Sequence, residues 1–258
     1  MELGLRNQLF VVTGASSGLG RAVAETLLLE GASVIVTGRR IGLLQEMEAA
    51  FPGRAEALQS DIAHDKFPQT LLNKVGNRQI SGILINAGGP PAKAAIETTI
   101  ADWDEAYKTL LRWKVELVLK LIPTLQKSGY GRLLFLESMS VKQPIENLAL
   151  STSLRLAVVG FAKSLSQELA HSGITVNVIA PGSHDTKALE RIFERKSQDH
   201  GISLSDARKL SEQEIPVHRL GRPAEFASLA AWLLSPVSGY VTGQTISADG
   251  GAVKGIFG

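Results

Sequence analysis

The sequence of 258 residues contains no cysteine. Disulfides, thiolate metal sites, iron–sulfur clusters and cysteine nucleophiles are thereby excluded together. The absence also suits a reducing compartment. Aromatic residues are scarce, at 5%. Neither sign of charge dominates: 27 Lys and Arg against 25 Asp and Glu leave +2, so no nucleic-acid surface is expected. No run of about 18 apolar residues is free of charge, so no membrane span is expected. The opening MELGLRNQLF carries Glu2 and Arg6 and does not read as a signal peptide. The five histidines lack metal-ligand spacing, so no metal site is expected. A cytoplasmic protein with a small-molecule ligand is the expectation.

What is present is a repeating rhythm. Apolar strand-like segments occur at Leu9–Gly14, Ala32–Gly38, Ala55–Asp61, Gly82–Gly89, Arg132–Ser138, Thr175–Gly182 and Gln244–Gly251. Helix-like segments separate them at Arg21–Glu30, Ile41–Phe51, Trp103–Ser128 and Ser151–Ser172. Strands that are apolar throughout must be covered on both faces. The pattern therefore predicts an α/β fold with a doubly wound parallel sheet, Rossmann-like, in a single domain over residues 1–258. Residues 183–218 break the rhythm, being charged and helical without a strand. A helical insertion after the sixth strand falls where ligands bind in open α/β sheets, so it is expected to be a substrate lid.

TGASSGLG, Thr13–Gly20, joins the first strand to the first helix. Glycines let backbone N–H groups approach a pyrophosphate, and the helix N-terminus favours the anion. The spacing T-G-x-x-x-G-x-G, with Thr13, Gly14, Gly18 and Gly20, resembles that of the short-chain dehydrogenase/reductases. So do Asp61 and Ile62 in SDI, Asn86-Ala87-Gly88, Pro181-Gly182 followed by Thr186, and the tail Arg219–Gly251. The resemblance covers nearly the whole chain and is nearest in general to 3-oxoacyl-[acyl-carrier-protein] reductases. It implies that these residues, with Ser16, Ser17 and Leu19 of the turn, hold a nicotinamide dinucleotide. Asp61 would bond the adenine, and Pro181, Gly182 and Thr186 the carboxamide. It also implies a homo-oligomer, dimer or tetramer, that acts on a carbonyl, alcohol or acyl substrate.

The second strand ends Thr37-Gly38-Arg39-Arg40. An acidic residue at this point would bond a ribose 2′-hydroxyl, whereas guanidinium groups attract a 2′-phosphate. NADP(H) is thus expected over NAD(H), with Arg39 as the main contact and Arg40 as a second.

At the catalytic positions the resemblance breaks. The family's serine is matched by Ser138. The register of the Ser151–Ser172 helix puts Ser151 where the family has tyrosine and Arg155 where it has lysine. The family asparagine falls on Leu110. A phenol, with a pKa of about 10, can be tuned by a neighbouring cation, and an aliphatic hydroxyl far less. A serine hydroxyl also stops roughly 4 Å short of a phenol oxygen. A guanidinium cannot relay a proton as an amine can. Ser151 and Arg155, one helical turn apart, would form with Ser138 a small polar cluster for a carboxylate or a polarised carbonyl oxygen. His184, beside Asp185, is a candidate proton donor. Glu137 is expected to face away from Ser138, because strand side chains alternate. The expectation is an NADP(H)-dependent oxidoreductase using Ser138, Ser151, Arg155 and His184. The alternatives are an NADP(H)-binding protein without turnover, such as a sensor or partner subunit, and a non-redox enzyme acting on a bound acid.

Overall fold

A computed structural model describes residues 1–256. Seven strands form one parallel sheet: β1 Leu9–Thr13, β2 Ser33–Gly38, β3 Ala55–Gln59, β4 Gly82–Asn86, β5 Gly131–Leu136, β6 Ile174–Pro181 and β7 Thr245–Ala248. Their order is β3-β2-β1-β4-β5-β6-β7, and each pairing is parallel. The expected strands are all present, and the fold class is the one the rhythm predicted.

The helices are α1 Gly18–Leu29, α2 Ile41–Ala50, α3 Phe67–Val75, α4 Ile100–Tyr107, α5 Trp113–Ser128, α6 Ala149–Leu169, α7 Lys187–His200, α8 Leu204–Gln213 and α9 Pro223–Leu234. Two of these, α3 and α9, were not anticipated as helices. The first is short and carries Pro68 in its first turn. The second lies inside the C-terminal pattern, which is read as a motif before it is read as a helix. The third strand stops at Gln59, two residues before the expected end.

Alternation along the strands divides the apolar side chains between two layers. Phe10, Val12, Val34, Val36, Leu84, Leu134 and Leu136 pack with α1 and α9. Leu9, Val11, Ile35, Ile83, Ile85, Leu133 and Phe135 pack with α3, α5 and α6. Each fully buried Val, Leu or Ile contributes about 1.5–3 kcal/mol of transfer free energy. Such runs therefore have no stable exposed face and specify a covered sheet.

The stretch read as one helix, Trp103–Ser128, is interrupted. A π-helical turn, Lys108–Arg112, separates α4 from α5. It fits an extra residue into the turn, and the indole of Trp113 donates to the Thr109 carbonyl at 2.9 Å. The Trp113 ring meets Phe67 of α3 edge to face at 5.7 Å.

The segment after β6 is helical, as expected. Helices α7 and α8 enclose a small core of Phe193, Ala207, Ile215 and Leu220. Asp185 pairs with Arg208 of α8 at 2.9 Å and ties the start of the insertion to its second helix. Among the described residues, no helix is long and apolar enough to cross a membrane.

Candidate dinucleotide cleft and active site

Strand β1 neighbours both β2 and β4. The chain therefore winds outward in both directions from the β1/β4 boundary, and the loops leaving these strands part there to open a crevice. Thr13 closes its floor. Its hydroxyl accepts from the Asn86 N–H at 2.7 Å and donates to the Asn86 carbonyl at 2.8 Å. The ends of β1 and β4 are thus pinned together.

The glycine turn is tight against this joint. Gly14 and Gly18 have positive φ, at 64° and 58°. A β-carbon on Gly14 would stand 2.6 Å from Asn86 Nδ2, and one on Gly20 2.4 Å from the Gly14 carbonyl oxygen. Neither position tolerates a side chain, so the backbone forms a close, bare cradle. Gly18 opens α1, and the Thr186 side chain lies 3.6 Å from where a Gly18 β-carbon would be. The insertion therefore begins directly over the turn. Gly182 is equally crowded, with Asp249 Cα at 2.8 Å from a β-carbon there. These features fit a dinucleotide pyrophosphate, which needs N–H groups and no side chains.

The remaining expected cofactor residues line the same end of the sheet. Ser16 is buried, Ser17 half-buried, and Leu19 packs into the core beneath the turn. Asp61 is exposed, its carboxylate accepting from the Ala63 N–H at 3.0 Å, and Ile62 packs against the α3/α5 layer. Ala87 is buried and Gly88 exposed. The two arginines after β2 part company. Arg40 donates from Nη2 to Ser16 Oγ at 3.0 Å and to Ser17 Oγ at 2.5 Å. Arg39 is exposed, and its carbonyl accepts from Gln59. The guanidinium held at the turn is thus Arg40, where Arg39 was the first expectation. A β-carbon on Gly38 would already stand 3.4 Å from Ser16 Oγ.

The polar cluster differs from the expected one. Ser151 and Arg155 do meet: Arg155 Nε donates to Ser151 Oγ at 3.0 Å. Among the described residues, no hydrogen bond joins Ser138 to them. Its hydroxyl accepts from the Ser140 N–H at 3.2 Å and starts the short turn Met139–Val141. The third member is Glu137. Strand alternation carries it, two residues beyond Phe135, to the α5/α6 layer. There Arg155 Nη1 donates to Oε2 at 2.9 Å and Lys114 Nζ donates to Oε1 at 2.5 Å. The Lys114 and Glu137 side chains are 0% exposed and that of Arg155 is 6% exposed. Burial pushes the Lys114 ammonium below its ordinary range, and the Arg155 charge adds to this while Glu137 opposes it.

Sequence reasoning missed Lys114 and the role of Glu137. The signals were available: Glu137 has the parity of Leu133 and Phe135, and Lys114 lies one helical turn beyond Leu110. Leu110 itself is wholly buried in the π turn. An amine, that of Lys114, appears one turn further along.

His184 is not brought to this cluster. Its Nδ1 is 3.1 Å from the Gly182 carbonyl, and its ring meets Phe226 edge to face at 5.6 Å. A β-carbon on Gly221 would lie 2.6 Å from the ring. Asp185, its neighbour in the chain, pairs with Arg208. His184 is a packed core imidazole, and burial lowers its pKa from the ordinary 6.5.

The loop after β4 is tied to the segment before α6 and to α4. The Lys93 N–H donates to the Asn147 carbonyl at 2.7 Å, just before α6. Lys93 Nζ pairs with Asp102 at 2.8 Å, which with the Thr99 N–H and hydroxyl draws that carboxyl down to about 2.

Comparison with known proteins agrees with this geometry. A family profile described as Enoyl-(Acyl carrier protein) reductase matches residues 14–253. The 3-oxoacyl-[acyl-carrier-protein] reductase of Escherichia coli K12 is 28% identical over 252 residues, covering 96% of this chain and 98% of that protein. The L-sorbose reductase of Gluconobacter frateurii, solved with NADPH and L-sorbose, superposes with a TM-score of 0.93 at 25% identity over 99% of this chain and all of that one. An actinorhodin polyketide ketoreductase with NADPH gives 0.90 at 27% identity, over 96% of this chain and 98% of that one. The chain belongs to the short-chain dehydrogenase/reductase family of oxidoreductases.

Two outcomes follow from the buried groups. Glu137→Ala leaves two cations facing each other without water, and urea unfolding is expected to show a loss of about 3–5 kcal/mol. For His184 the folded pKa is depressed, so the unfolded chain binds the proton first as pH falls. Its contribution is complete above about pH 6.5 and is lost progressively below it. Melting temperatures of His184→Gln should therefore fall less steeply on acidification than those of the native chain.

Proposed function

We propose that the protein is an NADP(H)-dependent oxidoreductase of a carbonyl/alcohol substrate, in which Ser151 and Arg155 replace the family's tyrosine and lysine. The observation that carries this reading is the buried Arg155–Ser151 hydrogen bond. Because Ser151 Oγ accepts from Arg155, its own proton is free to point at a substrate oxygen.

A bound NADPH would supply the hydride. Thr13, Gly14, Ser16, Ser17, Gly18, Leu19 and Gly20 would hold its pyrophosphate end. Asp61, Ile62, Asn86, Ala87 and Gly88 would flank the adenine and the riboses. Pro181, Gly182 and Thr186 would receive the carboxamide. Arg40, already fixed on Ser16 and Ser17, reads the 2′-phosphate, with Arg39 in support. Ser151 donates a hydrogen bond to the carbonyl oxygen, and Arg155 stabilises the negative charge that develops there. Ser138 stands at the end of β5 to orient the substrate. The proton comes from solvent water through Ser151, since His184 is committed to packing. Residues 183–218 serve as the substrate lid. The chain is read as a cytoplasmic homo-oligomer, dimer or tetramer, in keeping with the family.

One observation favours a second reading, a cofactor-binding protein without turnover. Glu137 engages Arg155 and Lys114, so part of the cluster's charge is spent internally.

NADPH oxidation with acetoacetyl thioesters, diketones and keto acids separates the two readings. Turnover that falls by about a hundredfold or more in Ser151→Ala supports the enzyme. Tight NADPH binding with no turnover on any of these substrates supports the second reading instead. Arg40→Ser should weaken NADPH binding by about tenfold to a hundredfold and leave NADH binding unchanged. An equal loss for both cofactors would remove Arg40 from the 2′-phosphate.

A further inference from the structure

The three charges in the buried cluster do not cancel. Lys114 and Arg155 bring two positive charges, and Glu137 brings one negative. Both carboxylate oxygens are engaged, Oε1 by Lys114 and Oε2 by Arg155. Among the described residues, no second carboxylate pairs with either cation. The groups that face Lys114 from the packed elements are Glu137 on β5 and Arg155 on α6.

An uncompensated buried charge is costly. It is relieved in one of two ways: a cation gives up its proton, or an anion arrives. Lysine can lose its proton where arginine does not. Arg155 provides the second route. Its Nη1 is used by Glu137 and its Nε by Ser151, while Nη2 has no hydrogen-bond partner among the described residues. Nη2 lies 3.7 Å from where a β-carbon on the exposed Gly89 would stand. Nε and Nη2 lie along one edge of the planar guanidinium. The Ser151 hydroxyl sits on the Nε half of that edge and accepts there, which leaves its own proton for a ligand beside Nη2. Two neighbouring donors match two neighbouring oxygens.

We propose that this edge is a site for a 2-oxo acid, whose carboxylate binds Arg155 Nη2 and whose carbonyl oxygen binds the Ser151 hydroxyl, and that Lys114 takes up a solvent proton as the anion arrives. The ligand's carboxylate supplies the second negative charge that the cluster lacks. Glu137 is the positioning residue, since it holds Arg155 through Nη1 and leaves Nη2 unpaired among the described residues. The inference deepens the oxidoreductase reading and names the substrate class of the same site.

The test is calorimetric titration of the native chain, free and loaded with NADP+, using 2-oxobutanoate and its methyl ester. Titrations in buffers of different ionisation enthalpy report the protons taken up. The acid is expected to bind at least about tenfold more tightly than the ester. Binding should be accompanied by net proton uptake that passes through a maximum as pH is varied. Lys114→Met leaves a neutral Glu137–Arg155 pair, so it should bind the acid more weakly and without proton uptake. Should that variant fail to fold, Lys114→Gln makes the same comparison, and the buffer dependence of the native chain stands by itself. Equal affinity for acid and ester, no proton uptake by the native chain, or unchanged uptake in the variant would each overturn the proposal. So would acid binding that disappears once NADP+ is loaded, because the cofactor then holds that edge of Arg155. Failure of NADP+ to bind, measured separately, would instead overturn the oxidoreductase reading and leave the anion result standing.

Discussion

A single buried carboxylate, Glu137, holds two helices to the end of β5. Glu137 has no access to water, and helices α5 and α6 each send one cation to it. Neither helix can shift without breaking a charge-assisted bond in a dry place, where the loss is greatest. The cluster therefore fixes where Arg155 stands, and Arg155 in turn holds Ser151. A buried ion network of this kind is a poor source of net stability, because desolvation offsets the attraction. What it provides is position: a guanidinium held through two of its nitrogens, Nε and Nη1.

The other end of the crevice relies on the absence of side chains. Gly14 and Gly20 approach Asn86 and each other so closely that a single β-carbon would collide. Thr13 locks this arrangement by bonding both backbone groups of Asn86. The two halves of the cleft thus use opposite devices. The phosphate half is bare backbone beside the dipole of α1, with Arg40 tethered at its rim. The chemical half is a dense, buried set of charged side chains. Both depend on the sheet reversing its winding between β1 and β4, which opens the space that they line.

On the proposed reading a hydroxyl and a guanidinium stand where the family has a phenol and an amine. Such an exchange gives up proton transfer through a tuned phenol and gains polarisation of an oxygen by a fixed cation. The amine has not vanished from the neighbourhood. Lys114 reaches the same carboxylate from α5, one turn beyond Leu110, just after the π turn resets the helix. Such turns are frequent at functional sites because they re-aim the residues that follow.

The sequence by itself determined the sheet, its helical cover, the glycine turn and the family. Each rests on local signals: apolar runs, turn residues and motif spacing. Its helix register also put Ser151 and Arg155 at the positions where the resemblance expects tyrosine and lysine. Tertiary structure decided the partnerships. Ser138 was expected beside Arg155 and Glu137 was expected to face away from Ser138, yet it is Glu137 that completes the cluster. Alternation did predict the parity of Glu137, but not which helices would cover that face. His184 looked like a free imidazole and is pinned against Gly221 and Phe226. Arg39 was expected as the main contact and Arg40 as the second, and it is Arg40 that the two serine hydroxyls of the turn hold. Contacts between residues far apart in the chain depend on how helices pack and where loops close, and local patterns carry no record of either.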